Sequence, residues 1–208
     1  MISGILLAAG ESTRMGGAFK PLLPWGKRTV IGACVENLRR SRLDEIVVVL
    51  RHREAEIRPR LAGSGVVYAI NHDYRRGMLS SVQTGIAEIS PQSDAMMIAL
   101  VDQPTVGPEI IDRLIAAYEG GGKKIVLPEH GGRHGHPIVI SRDYWDDILR
   151  LDAAAAEGLG AFIATHRDEC LEVPIDSPAV LDDIDRPEDY ERLGKQVAPL
   201  YEYHKWHP

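Results

Sequence analysis

The sequence predicts a three-layer, Rossmann-like α/β fold with a mostly parallel central sheet, on two observations. Short apolar or β-branched runs alternate along the chain with segments whose apolar residues recur at helical spacing. The run EIVVVL at Glu45–Leu50 is of the kind that strands of a parallel sheet show when helices cover both faces. Strand, helix, strand in repeated order implies crossover connections.

The elements follow in order. Ile5–Ala8 is a short apolar strand stopped by Gly10, and Thr29–Arg40 carries a helical apolar stripe. Glu45–Leu50 is the second strand, followed by helical spacing over Arg53–Leu61. Val66–Ile70 and Ala95–Val101 repeat the strand signal on either side of a helix over Met78–Ile89. Pro108–Tyr118 is the next helix, stopped by Gly120, Gly121 and Gly122. Lys124–Leu127 and Pro137–Ile140 read as strands, and Arg142–Leu151 as a helix. Pro187, Glu188 and Asp189 open a terminal helix with acids at its positive end. No linker interrupts residues 1–200, which are expected to form one domain; the aromatic tail, residues 201–208, is expected to pack on that body or on a second subunit.

Composition excludes several classes. With 24 Lys and Arg against 30 Asp and Glu, the net charge of −6 opposes a general nucleic-acid binder, which needs a basic surface. A few cations gathered in one cleft can still receive an anionic small molecule. The two cysteines, Cys34 and Cys170, have no zinc or disulfide spacing and read as reduced core thiols. No apolar stretch reaches the ~20 residues of a membrane helix, and no basic leader opens the chain, so the expected location is cytoplasmic.

Ile5–Lys20, ILLAAGESTRMGGAFK, is the most informative stretch. A strand ends in Ala8-Ala9-Gly10, whose small side chains let a ligand approach the backbone, at the end of the sheet where open α/β folds bind ligands. Backbone N–H groups around Ser12 and Gly16 can cradle phosphate, with Arg14 and Lys20, read as exposed loop cations, supplying positive charge. The Walker spacing is absent, and Gly10, Gly16 and Gly17 do not fit GxGxxG.

LLAAGESTRMG followed by Lys20-Pro21-Leu22-Leu23 resembles the signature of the MobA-like nucleotidyltransferases. The likeness continues through Arg76–Val82 (RGMLSSV), Ala99–Pro104 (ALVDQP), Gly135–Val139 (GHPIV) and Asp183–Asp189 (DIDRPED). Within that family, Ala-Ala-Gly resembles the molybdenum cofactor cytidylyltransferases; the guanylyltransferases tend to carry Ala-Gly-Gly. The resemblance implies the nucleotide-diphospho-sugar transferase type of fold and CMP transfer from CTP, or another NTP, to a molybdopterin-type acceptor. It also implies a Mg²⁺ cofactor, and as partner a molybdenum hydroxylase or its cofactor-insertion chaperone.

Site roles follow. Arg14, Lys20 and Asp102 are the expected catalytic groups; Asp102, at the rim of the strand AMMIALV, can hold Mg²⁺, which takes only one or two carboxylates. The second acid comes from Asp183-Ile184-Asp185, where period-two spacing puts both carboxylates on one face, and Asp185 is preferred. Leu7, Ala8, Ala9, Gly10, Ser12, Arg14, Gly16, Lys20 and Asp102 are expected to hold the nucleotide, together with Asn71, Gly77 and Ser81, whose turn resembles the family's nucleoside-binding turn. Gln103, Arg133, His136 and Asp183 are expected on the acceptor side. His130, His134 and His136 fall close together, but a glycine-rich loop does not fix three imidazoles for zinc. The rivals are another phosphorylated acceptor or GTP on the same fold, a nicotinamide-linked oxidoreductase, and a non-catalytic cofactor-binding module. The missing GxGxxG and missing acid after the second strand oppose the oxidoreductase; the presence of Asp102 and Asp185 opposes the passive module.

Overall fold

The computed structural model describes residues 1–155 and 158–197; the expectation for the tail at residues 201–208 lies outside them. In chain order the strands are β1 (Ile2–Ala8), β2 (Pro24–Trp25), β3 (Arg28–Thr29), β4 (Glu45–Leu50), β5 (Val67–Ile70), β6 (Ala95–Leu100), β7 (Ile125–His130), β8 (Arg133–His134), β9 (Ile138–Ser141) and β10 (Cys170–Pro174). The helices are α1 (Val30–Arg39), α2 (Glu54–Ile57), α3 (Met78–Ile86), α4 (Pro108–Glu119), α5 (Trp145–Arg150), α6 (Gly158–Thr165) and α7 (Pro187–Val197).

One sheet runs β10-β7-β9-β6-β1-β4-β5, with β8 paired to β7 off this path. β9 is antiparallel to both β6 and β7, and β8 is antiparallel to β7. The remaining pairs are parallel. β1 is buried at all seven positions, because it lies between β4 and β6 with helices above and below. Its alternate side chains go to opposite faces. Leu6 and Ala8 join Val48, Leu50, Met97 and the inner faces of α1 and α4, whereas Ile5 and Leu7 join Val47, Val49, Met96 and the inner faces of α3, α5 and α6. Each such Leu, Ile or Val contributes about 1.5–3 kcal/mol of apolar burial, so the two cores fix the strand order that creates the cleft.

The α3 face comes closest. A Cβ built on Gly85 would sit 2.5 Å from Cγ2 of Ile5, so glycine is required for the helix to rest on β1. A third, smaller cluster joins Met15 of the loop after β1 to Leu23, Trp25, Val30, Ile184, and Tyr190 and Leu193 of α7.

Several boundaries differ from the sequence reading. The helix expected over Arg53–Leu61 ends as α2 at Ile57 and continues as a 3₁₀ turn through Leu61, because Pro59 lacks the helical donor and crowds the carbonyl four residues back. Residues 142–144 form a separate 3₁₀ turn before α5. β9 runs antiparallel, and β10, α6 and the β2–β3 hairpin were not anticipated.

Candidate active site

The chain moves outward from β1 to β4 and β5, then crosses back to β6 on the other side of β1. Such a reversal opens a crevice beyond the carboxyl ends of the two strands, with no crossover to fill it. A cleft of about 330 Å³ lies there, lined on the β1 side by Leu7, Ala9, Gly10, Ser12, Arg14 and Lys20, on the α3 side by Tyr74, Gly77, Met78 and Ser81, and at its floor by Asp102 and Asp185. These include ten of the residues singled out in the sequence, drawn from four separate stretches.

The loop after β1 is shaped by its own contacts. Ser12 takes a left-handed φ of 57°, a conformation that costs a non-glycine residue on the order of 1 kcal/mol or more. Its carbonyl accepts from the Met15 N–H and its hydroxyl from the Lys20 N–H at 3.2 Å, which returns the chain toward the cleft. Phe19 is held between His52, with ring centroids 5.3 Å apart, and the guanidinium of Arg53 4.8 Å over its face. The neighbouring Lys20 is thereby turned inward.

Lys20 is buried rather than an exposed loop cation, which corrects the sequence reading: its side chain is only 10% exposed, and Nζ lies 3.1 Å from Asp102 Oδ2 and 3.3 Å from Asp185 Oδ1. Arg14 is exposed and forks onto both oxygens of Asp185 at 2.9 Å. Two cations and two carboxylates thus converge from three chain segments. Asp102 Oδ1 is buried without a hydrogen-bond partner. An ionised oxygen left unpaired inside a protein is costly, so this atom fits a ligand that brings positive charge.

The other expected residues stand behind this lining. Ala8 faces the α1–α4 core and Gly16 sits at an exposed bend with φ 59°. Asn71 is 2% exposed and donates to the hydroxyls of Ser80 and Ser81 at 2.8 and 2.9 Å, while its Oδ1 accepts from the Asp73 N–H. It orients Ser81 from beneath. Gln103 donates to Asp183 Oδ1 at 2.8 Å and to the Val180 carbonyl. Burial, then the charge of Asp102, pushes the Asp183 carboxyl above its ordinary range, opposed by the Gln103 hydrogen bond. His136 is half-buried; burial holds its imidazole below its ordinary value, with Asp102 pulling the other way. Arg133 is exposed on β8, away from the cleft lining. His130 bonds the Ile175 carbonyl and His134 bonds Glu172, so the three imidazoles have separate surroundings. Sequence reasoning gave no role to Glu11 or Met78, although each lies within a quoted motif, and did not single out Tyr74, which lies outside them.

A glycine-containing loop, two cations and two carboxylates gathered at the switch point of a mixed α/β sheet suit a protein that binds a phosphorylated ligand. The chain belongs to the MobA-like NTP transferase family, whose domain model matches residues 4–170. It is 27% identical over 190 residues to the molybdenum cofactor cytidylyltransferase of Escherichia coli K12, covering 91% of this chain and 93% of that protein. It is 31% identical over 146 residues to the nicotine blue oxidoreductase of Paenarthrobacter nicotinovorans, covering 67% and 70%. The solved structure of Rv0371C of Mycobacterium tuberculosis H37Rv in complex with manganese superposes with a TM-score of 0.79 at 27% identity, covering 94% of this chain and 99% of that one. Among the described residues, no helix is long and apolar enough to cross a membrane.

Proposed function

We infer that the protein transfers CMP from CTP to a molybdopterin-type acceptor and releases pyrophosphate, with Mg²⁺ as cofactor, in the cytoplasm. The observation that carries this reading is the partnerless, buried Oδ1 of Asp102 beside Lys20 and Asp185. Mg²⁺ fits the donor set, since it takes one or two carboxylates and keeps its waters; Asp102 and Asp185 would hold it. When bound, it would offset negative charge on the α-phosphoryl group and the departing pyrophosphate.

The chain's own groups account for the remainder. An oxygen of the acceptor phosphate attacks the α-phosphorus in line, and the bond to the β-phosphate breaks. Lys20 and Arg14 exchange their carboxylate partners for phosphate oxygens, and the loop N–H groups bond the others. Gly77 and Ser81 form the nucleoside wall, with Asn71 fixing the Ser81 hydroxyl. Gln103, Asp183, His136 and Arg133 would serve the acceptor, and a molybdenum hydroxylase or its chaperone would receive the product.

The relation to a nicotine blue oxidoreductase supports a second reading, reduction by a nicotinamide dinucleotide. One assay separates the two: pyrophosphate release with each of the four NTPs, with and without molybdenum cofactor and Mg²⁺, run beside NAD(P)H oxidation. CTP- and cofactor-dependent pyrophosphate supports the transferase; dinucleotide oxidation without pyrophosphate sinks it.

A further inference from the structure

One cluster at the cleft mouth has no part in the chemistry above. Glu11 stands between Gly10 and Ser12, which line the cleft on the β1 side, and Tyr74 lines it on the α3 side. The Tyr74 hydroxyl donates to Oε1 of Glu11. Arg75 donates to the same oxygen from Nε at 3.2 Å and from Nη2 at 3.0 Å. The contact joins positions 63 residues apart and links the β1 side of the cleft to the α3 side.

An isolated surface ion pair carries little weight, but here three donors meet on one oxygen. Tyr74 packs against the core cluster beneath α3, so its hydroxyl is a fixed point, and the Arg75 guanidinium lies 5.5 Å over its ring. The Tyr74 hydrogen bond, then that of Arg75, holds the Glu11 carboxyl below its ordinary value. The next residue, Ser12, has the left-handed φ that its surroundings must enforce. Lys20 bonds the Ser12 hydroxyl through its N–H, and Glu11, the residue before Ser12, is tied in turn to Tyr74. An unpaired carboxylate beside a triphosphate site would also repel the ligand, and the Arg75 cation offsets its charge.

We propose that Glu11 is a positioning residue, fastening the phosphate loop to the nucleoside wall through Tyr74 and Arg75 so that the cleft has its width before a nucleotide arrives. The ligand in this statement rests on the proposed function, while the fastening is a property of the free protein. Removing it leaves the loop to be ordered on binding, and that cost appears in affinity rather than in global stability.

The test compares wild type, Glu11→Ala, Tyr74→Phe, the double variant and Glu11→Gln. Amide hydrogen exchange of segments 10–20 and 71–77 is read without ligand, Tm is recorded, and the Kd for CTP is measured with Mg²⁺. Glu11→Ala speeds exchange in both segments and weakens CTP about tenfold, the worth of one hydrogen bond to a charged group. Its Tm stays within about 3 °C of wild type. The double variant is no weaker than Glu11→Ala, and Glu11→Gln, which still accepts from Tyr74, recovers part of the loss. Faster exchange confined to 10–20, additive losses, or unchanged CTP affinity overturns the proposal. If wild type binds no nucleoside triphosphate, the proposed function falls and the exchange in 71–77 alone decides the fastening.

Discussion

The backbone N–H of Ile184 donates to the carbonyl oxygen of Asp102 at 2.9 Å, seating the segment that carries Asp185 against the end of β6. Ile184 is fully buried in the third cluster, and the acids on either side of it take different partners, Asp183 from Gln103 and Asp185 from Arg14 and Lys20. The two carboxylates assigned to Mg²⁺ therefore have their spacing set by a main-chain bond and an apolar anchor.

Asp102→Asn is expected to lower Mg²⁺-dependent pyrophosphate release by ~100-fold or more, the scale of losing one electrostatic contact to the reacting group. The fold should stand, since Oδ1 makes no hydrogen bond in the free protein. Near-normal turnover by a folded variant removes Asp102 from the site.

Lys20 and Arg14 should separate in stability. Arg14→Ala loses an exposed pair and costs under about 1 kcal/mol. Lys20→Ala leaves Asp102 and Asp185 without their shared cation and costs about 1–3 kcal/mol. Added Mg²⁺ restores part of that loss, and both variants weaken NTP binding. Denaturant titration with and without Mg²⁺ checks this; equal stability of the two variants contradicts the shared-cation account.

His136 gives a pH signature. Burial holds its folded pKa below the ordinary 6.5, so the unfolded chain takes up the proton first on acidification. Its contribution to stability is complete above 6.5 and is lost as pH falls through 6.5 toward the folded value. Between about pH 7.5 and about pH 5 the Tm of His136→Gln should fall less than that of wild type. Parallel Tm curves rule this out.

Gly85→Ala places a methyl within 2.5 Å of Ile5 and should cost about 1–3 kcal/mol as α3 lifts from β1. Ser81 moves with the helix, so CTP affinity falls too. Calorimetric unfolding and a CTP titration read both effects, and an unchanged Tm would show that α3 can shift freely.

Ala9 lines the cleft, and under the proposed function its methyl would narrow the slot beside the base. A single methyl supplies about 10- to 200-fold discrimination at most. Ala9→Gly should lower the CTP over GTP ratio of kcat/KM without reversing it. A wild type that prefers GTP sinks the cytidylyl assignment.

Local patterns made much of the molecule legible. The apolar runs located β1, β4 and β6, and the loop between Ala8 and Lys20, marked by its small residues and cations, lines the cleft. What was hidden is non-local. β9 runs antiparallel because of its partners, β6 and β7, and four apolar residues do not encode that direction. Lys20 is buried because Phe19 is held by His52 and Arg53, a contact across more than thirty residues. Glu11 sits inside the signature and Tyr74 outside it, and neither drew a role because their contact joins positions 63 residues apart.

The third cluster bears on how the protein is made. Met15, next to the phosphate loop's cations, packs with Ile184, Tyr190 and Leu193, and the Tyr190 hydroxyl donates to the Pro24 carbonyl at 2.6 Å. Chains emerge from the ribosome N-terminus first, and early segments can fold while later ones are still being added. The sheet can therefore form during synthesis, but the loop that would grip a triphosphate lacks its apolar backing until α7 has emerged. A nascent or C-terminally clipped chain would hold a sheet without a working grip on nucleotide.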